Sequence, residues 1–167
     1  MAWKGFMNKF LLSLFLVFLS SFILHAADRD EPIHLTAQSA SLDEIKGYSK
    51  YLGEVNITQG TLILKGQEVQ IFNNEKEVTK VIANGDGNQQ AYYKQDRPNQ
   101  ERFIEAKADK ITYIVNEEMV HLEGGAYLLQ GYDKFTGGTL DYDIKNDRVI
   151  AKKSEDGKER VKFKIRL

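Results

Sequence analysis

Apolar and polar residues alternate along nearly all of the chain after Pro32, with the period of a β-strand. At the C-terminal end, for example, Val161, Phe163, Ile165 and Leu167 alternate with two lysines and an arginine. Successive side chains of a strand point to opposite faces, so such a segment has one apolar face and one polar face. The other apolar sets at this spacing are Ile33/Leu35, Val55/Ile57, Leu62/Leu64, Val69/Ile71, Ile111/Tyr113/Val115, Val120/Leu122, Ala126/Leu128 and Leu140/Tyr142.

Turn-forming residues separate the alternating segments. Most of the 13 glycines lie between or at the ends of these segments, as do Asn73-Asn74, Asn116-Glu117 and Asn146-Asp147. No long window has helical periodicity. The spacing predicts about sixteen short strands in an all-β, antiparallel, two-layer roll or sandwich. The polar segment Lys94–Arg102 is predicted to be a loop near the middle of one domain.

Two stretches resemble each other at an offset of 71 residues. Tyr51–Gly60 and Leu122–Gly131 each contain a glycine, then a strand-like segment, then a Gln-Gly pair, and Gly66 and Gly137 continue the same offset. Upstream, Ser39–Asp43 and Ala108–Tyr113 match with a small insertion. This pattern favours stacked hairpins of one design in an elongated, layered molecule. The alternative is the weak self-similarity of any β-rich chain with glycine turns.

The N-terminal residues have the features of a secretory signal peptide. Lys4 and Lys9 precede the apolar segment Phe10–Leu24, which only serines interrupt, and small residues follow it. The apolar run of about fifteen residues is shorter than the roughly twenty that a membrane-spanning helix needs, so a membrane anchor is the less favoured alternative. We expect cleavage after Ala26, which leaves residues 27–167 as one exported domain.

The mature chain has no strong excess of charge and no cysteine. Removing residues 1–26 leaves 21 basic and 24 acidic side chains, a net charge of −3 with histidine neutral. This balance argues against a nucleic-acid partner and gives no reason to expect tight electrostatic adhesion to an anionic membrane. Without cysteine the domain cannot form a disulfide, so it must depend on its apolar interior.

The mature sequence contains no recognisable catalytic, cofactor or metal-binding motif. It lacks a nucleophile elbow, a phosphate-binding loop and a zinc-hydrolase motif. His34 and His121 each occur alone in an alternating segment, and we expect both to face outward. Asp141 and Asp143 could share a face, as the carboxylates of a glycan hydrolase do, but a solvated strand face is favoured. An enzyme is therefore the least favoured class.

Five segments, in order and spacing, resemble the OstA-like family of periplasmic lipopolysaccharide-transport proteins. They are Pro32–Leu35, Ser41–Asp43, Gly53–Thr61, Ala108–Tyr113 and Leu122–Leu128. The resemblance implies an antiparallel β-jellyroll folded into a V-shaped groove that holds the lipid A acyl chains of lipopolysaccharide between the inner and outer membranes. It also implies head-to-tail stacking, both between copies and with related β-domains of the inner- and outer-membrane transport components.

The apolar faces of the strands provide the candidate groove lining. Each methylene removed from water is worth about 0.8 kcal/mol, so acyl chains need a continuous apolar surface to cross an aqueous compartment. The resemblance places Ile33, Leu35, Tyr92, Tyr113 and Val115 at the N-terminal strand and the groove interior. The full predicted lining is Ile33, Leu35, Val55, Ile57, Leu64, Val69, Ile71, Tyr92, Tyr113, Val115, Leu122, Leu128, Leu140 and Tyr142.

Alternation by itself fits a filled core as well as an open groove. The alternative function is therefore a structural β-repeat scaffold or filament module of the cell envelope that carries no lipid. In either case the terminal strands are candidate assembly edges, because unpaired backbone groups can accept another strand. The predicted edge residues are Ile33, Leu35, Val161, Phe163, Ile165 and Leu167, although the intervening lysines could instead discourage aggregation.

Overall fold

The computed structural model describes residues 31–75, 77–96 and 103–166. In these residues it contains twelve β-strands and no helix, which confirms the predicted all-β class. The strands are β1 (His34–Thr36), β2 (Ser39–Asp43), β3 (Tyr48–Gln59), β4 (Leu62–Asn74), β5 (Glu77–Asn84), β6 (Ala91–Asp96), β7 (Phe103–Ala108), β8 (Lys110–Ile114), β9 (Met119–Gln130), β10 (Asp133–Asp143), β11 (Arg148–Lys152) and β12 (Lys162–Lys164).

The predicted signal peptide, residues 1–26, lies outside the described residues, as does most of the predicted midpoint loop. Across 31–75, 77–96 and 103–166, no helix has the length and apolarity needed to span a membrane.

The strands form an antiparallel jellyroll of two layers. The four long strands, β3, β4, β9 and β10, each contribute one part to one layer and the rest to the other. Residues 68–74 of β4 pair with β5, for example, whereas residues 63–65 pair with β6. We call the layer containing β2, β5, β8 and β11 the first layer, and the layer containing β1, β6, β7 and β12 the second layer. The long strands β3, β4, β9 and β10 run from one layer into the other, so the layers meet along one side like a V.

Glycines form the corners where the long strands change layer. Gly53 and Glu54 have φ angles of 82° and 45°, and Gly124 and Gly125 have φ angles of 80° and 55°. The β3–β4 register shifts between Leu52 and Val55, at the first of these corners. Positive φ is strained for residues with a side chain and accessible to glycine, which explains why glycine recurs at these bends.

The long strands also explain why the structure has fewer strands than the sixteen expected. Each of β3, β4, β9 and β10 contains 11 to 13 residues. From sequence, each is divided at its corner glycine into two short strands. Because pairing between the long strands resumes directly after the register shift at each corner, the segments on either side form one strand.

The predicted internal repeat is confirmed at the level of whole strands. Strands β1 to β4 begin at residues 34, 39, 48 and 62, and β7 to β10 contain their equivalents 71 positions later. The small insertion predicted in the alignment of Ser39–Asp43 with Ala108–Tyr113 is absent. Strand β2 begins at Ser39 and β8 begins at Lys110, which is the same offset of 71 residues. The two halves join where β5 pairs with β8 and β6 pairs with β7.

Candidate functional site

A cavity of about 670 Å³ lies between the two layers, mainly in the first half of the molecule. The second layer and the segment before β1 contribute Ile33, Ile57, Gln59, Leu62, Leu64, Tyr93 and Gln95. The first layer and its turns contribute Ile71, Glu77, Val78, Val81, Tyr113, Val115, Asn116, Glu118 and Ile144. Aliphatic and aromatic side chains form its interior, and its volume is in the range of ligand-binding pockets.

Two tyrosines line the cavity where the halves of the molecule join. The rings of Tyr93 on β6 and Tyr113 on β8 have centroids 6.1 Å apart and are tilted by 58°. The Tyr93 hydroxyl donates a hydrogen bond of 2.5 Å to the Gln95 side chain, which satisfies its polar group. Because β6 and β8 belong to different layers, this aromatic contact connects the layers at the back of the cavity.

The second half of the molecule is closed by packing. Leu122, Leu128, Leu140 and Tyr142 have no exposed surface, and Val120 is 1% exposed. None of these side chains lines the cavity. The apolar faces of the two layers therefore meet in the second half, whereas in the first half a cavity separates part of them.

The structure divides the fourteen predicted groove residues into three groups. Six line the cavity: Ile33, Ile57, Leu64, Ile71, Tyr113 and Val115. Seven lie elsewhere in or against the core, namely Leu35, Val55, Val69, Leu122, Leu128, Leu140 and Tyr142. The remaining residue, Tyr92, lies on the outer face of the second layer.

The interior position predicted for Tyr92 is corrected by the strand register. Ala91 and Tyr93 point inward and are almost fully buried, so Tyr92 between them points outward. Its ring lies 5.7 Å from the ammonium group of Lys107 on the neighbouring strand. Partial burial, followed by the Glu105 carboxylate, raises the pKa of the Tyr92 phenol above its usual value.

Sequence reasoning missed several residues that line the cavity. Tyr93 follows directly after another tyrosine, so hydropathy does not indicate which of the two faces inward. Alternation with Ala91 is the one available signal, since both lie on the same strand face. Val78 and Ile144 lie near turns, where no period-two pattern predicts burial.

The side chains of His121, Asp141 and Asp143 lie outside the cavity and have structural partners. The His121 ring nitrogen Nδ1 lies 2.7 Å from the Asp141 carboxylate on the adjacent strand. This partner is not apparent from the sequence, because the two residues are 20 positions apart in the chain. Asp143 is buried and accepts hydrogen bonds from Asn146, which lower its pKa. In the described segments, no group of three or more acidic, histidine or cysteine side chains is placed to bind a metal ion.

The two ends of the roll have unpaired strand edges and exposed apolar side chains. In the described part of the chain, β1 and β2 pair with β3 alone, and β11 and β12 pair with β10 alone. At the β1–β2 end, Ile33 is 48% exposed and Leu42 is 64% exposed; at the other end, Phe163 is 54% exposed and Ile165 is 57% exposed. Leu35 and Val161 are half-buried, and Leu167 lies outside the described residues.

Residues 34–148 match the family described as LptA/(LptD N-terminal domain) LPS transport protein. This match runs from the first residue of β1 to the first residue of β11 and includes the cavity walls except Ile33. The chain belongs to this family.

Individual members of the LptA/LptD N-terminal family are similar over most of the chain. The lipopolysaccharide export system protein LptH of Pseudomonas aeruginosa is 30% identical over 75% of this chain and 70% of its own length. LptA of Escherichia coli K12 is 29% identical over 74% of this chain, which corresponds to 66% of the E. coli protein. LptA of Haemophilus influenzae Rd is 29% identical over 91% of this chain and 86% of its own length.

A solved structure of the family has the same fold. The crystal structure of LptH, described as the LptA-homologous periplasmic component of the lipopolysaccharide transport device of P. aeruginosa, superimposes with a TM-score of 0.74. It is 28% identical and covers 85% of this chain and 100% of the LptH chain. The V-shaped antiparallel jellyroll is therefore the fold of a known family member.

Proposed function

We propose that this protein is a periplasmic carrier of lipopolysaccharide and that the cavity between the two layers binds its acyl chains. The observation that carries this proposal is the cavity of about 670 Å³, whose interior side chains are apolar. Family membership supports the same cargo, because the related proteins are named as lipopolysaccharide export components.

The physical chemistry of the cavity suits an acyl chain. Burying each methylene contributes about 0.8 kcal/mol, and this attraction has no directional requirement. Among the lining residues, the polar side chains of Gln59, Glu77, Gln95, Asn116 and Glu118 lie at strand ends and turns, toward the open side of the V. A lipid can therefore have its chains inside and its polar headgroup in water.

Two adjacent tyrosines provide a matched crosslinking test. A photoreactive benzoylphenylalanine replacing Tyr93 lies in the cavity, whereas the same residue replacing Tyr92 lies on the outer face. We expect illumination in cells to crosslink lipopolysaccharide to the variant at position 93 and much less at position 92, as measured by immunoblotting for lipopolysaccharide.

The two positions are adjacent on the same strand, so the two probes are matched in their place along the molecule. Equal crosslinking at both positions, or crosslinking only at Tyr92, would contradict acyl-chain binding in the cavity. No crosslinking at either position would favour the alternative of a structural scaffold without lipid cargo, which no contact in the described residues specifically supports.

We also propose that copies of this protein stack head to tail, continuing the arrangement between its two halves. Inside the molecule, the first half presents β5 and β6 to β8 and β7 of the second half. In the repeat, β11 and β12 at the end of the second half are equivalent to β5 and β6. At the other end of the molecule, β2 and β1 are equivalent to β8 and β7. The free edges at the two ends are thus complementary, and related β-domains of the membrane-bound transport components could pair with the same edges.

The internal junction also supplies the register for this stacking. Because β12 pairs with β10 as β6 pairs with β4, β12 corresponds to β6 at an offset of 70, so that Tyr93 corresponds to Phe163. Gln95 lies opposite Ile104 in the β6–β7 pair, and the equivalent residues are Ile165 of one copy and Ile33 of the next. Similarly, Tyr93 lies opposite Ala106, which corresponds to Phe163 opposite Leu35. The exposed apolar residues of one end would therefore be covered by those of the other, which burial favours.

A further inference from the structure

A hydrogen-bonded cluster connects the two layers at the open side of the second half. The Gln130 side chain, at the end of β9 in the second layer, donates to the Asp147 carboxylate in the turn between β10 and β11 of the first layer. The Tyr142 hydroxyl donates to the same carboxylate at 3.0 Å. Gln130 is 7% exposed and Tyr142 is fully buried, whereas Asp147 is exposed, so the cluster lies where the closed core meets the surface.

The first half offers an internal comparison at the positions of Gln130 and Tyr142. At the offset of 71, Gln130 corresponds to Gln59, which lines the cavity and donates a hydrogen bond of 3.0 Å to the backbone oxygen of Glu31. Tyr142 corresponds to Ile71, which has no hydroxyl group. The half in which the Tyr142 hydroxyl joins the cluster has a closed interior, and the half with Ile71 at that position has the cavity.

The cavity ends next to this cluster. Ile144 lines the cavity and lies in the same turn, three residues before Asp147. Beyond it, the interior of the second half is filled by Leu128, Leu140 and Tyr142, which have no exposed surface. An acyl chain in the cavity therefore meets a closed core rather than a continuous trough.

We propose that Gln130, Asp147 and Tyr142 form a latch that holds the two layers together over the second half, and that a lipid enters this half only when the latch opens. This inference rests on the proposed lipid-carrier function and concerns its regulation. A carrier that passes its cargo to the next copy across β11 and β12 must move it through the second half. The latch makes opening of that half a distinct step.

Asp147 can be removed without straining the backbone. Its φ angle is 54°, a conformation that glycine adopts readily, so Asp147→Gly deletes the hydrogen-bond acceptor and keeps the turn. Glu75 has a φ angle of 56° in the equivalent turn of the first half, so Glu75→Gly is the matched control. A second latch variant, Tyr142→Phe, removes only the donating hydroxyl and keeps the ring in the core.

Thiol labelling measures opening directly because the chain contains no cysteine. A single Leu128→Cys substitution places a thiol in the closed core, two residues before Gln130. With iodoacetamide and no lipid, we expect Asp147→Gly and Tyr142→Phe to increase the labelling rate at position 128 roughly tenfold, the effect of losing about 1.4 kcal/mol of hydrogen bonding. Glu75→Gly should leave the rate unchanged.

A thiol in the core of the first half distinguishes local opening from general destabilisation. With Val55→Cys in place of Leu128→Cys, the latch variants should leave the labelling rate unchanged, since Val55 lies beside the first corner, in the half of the molecule that does not contain the latch. Equal increases at both positions, or no increase at position 128 in either latch variant, would overturn the latch.

Adding lipopolysaccharide separates this inference from the proposed function. In proteins whose single cysteine is Val78→Cys, in the cavity, lipopolysaccharide should slow labelling whether or not the latch is intact. In the protein that combines Leu128→Cys with Asp147→Gly, lipopolysaccharide should also slow labelling at position 128. Protection of position 78 with no effect of the latch variants at position 128 would refute the latch and leave the carrier function intact. Absence of protection at position 78 would refute the carrier function. The labelling rates at position 128 measured without lipid would still decide whether the latch exists.

Discussion

At the residue scale, the corner glycines fix where the chain passes between layers. Gly124 has a φ angle of 80°, and a Cβ atom added there would overlap the Asp109 carboxyl group. The backbone N–H of Asp109 donates a hydrogen bond of 2.9 Å to the Gly124 oxygen, so the two segments cannot separate without losing this bond. The corner thus combines a conformational requirement with a steric one.

These two requirements can be separated by comparing two substitutions. Gly87 has a φ angle of 84°, but a Cβ atom there would contact nothing within 4 Å. We expect Gly87→Ala to lower the free energy of unfolding by about 1 kcal/mol from backbone strain alone, and Gly124→Ala to lower it by about 2–3 kcal/mol. Urea denaturation measures both values, and equal losses would show that Asp109 moves aside without cost.

At the element scale, polar contacts between neighbouring strands stabilise the outer face of the first layer. Lys50 on β3 and Glu68 on β4 form a salt bridge of 2.8 Å, and Gln70 donates to the same carboxyl group at 2.6 Å. The hydrogen bond from Lys50, then the one from Gln70, lower the pKa of Glu68 below its usual value of 4.5.

This shift predicts how stability depends on pH. Because the pKa of Glu68 is lower in the folded state than in the unfolded state, its stabilisation is fully present above about pH 4.5 and is lost as the pH falls through the depressed folded-state pKa. We expect Glu68→Gln to be less stable than the native protein at pH 7 and the difference to shrink below pH 4.5. Thermal unfolding across this range tests the prediction, and a difference independent of pH would contradict it.

At the scale of the whole molecule, the duplicated architecture leaves at each end of the described residues unpaired strand edges equivalent to those joined at the internal junction. The join between the two halves is an antiparallel pairing of β6 with β7 and β5 with β8. Residues opposite each other in such a pair have Cβ atoms about 4.5–5.5 Å apart, close enough for a disulfide after small adjustments. The proposed stacking can therefore be tested at single positions.

A pair of cysteines should report the stacking register. We expect a protein carrying both Ile33→Cys and Ile165→Cys to form a ladder of covalent oligomers under mild oxidation, visible on non-reducing gels. Pairing Ile33→Cys with Phe163→Cys displaces one cysteine by two residues and is the matched control. Ladders of equal intensity from both pairs would contradict the register, and a strict monomer by light scattering at all concentrations would contradict the stacking.

Much of the fold could be predicted from the sequence because it depends on local rules. A period of two determines that Leu62 and Leu64 share one strand face, and positive φ explains the glycines at the corners and turns. The repeat at an offset of 71 was visible for the same reason, because Gly53 and Gly124 occupy equivalent bends. These properties depend on residues that are close together in the chain.

Only the tertiary structure decided where the two apolar faces separate. Leu64 and Leu140 have the same alternation in sequence, yet the first lines a cavity and the second is fully packed. Their difference depends on how closely the facing side chains of the two layers approach, which residues distant in the chain determine. The inward position of Tyr93 rather than Tyr92 likewise required the strand register, because two adjacent aromatic residues carry no alternation of their own.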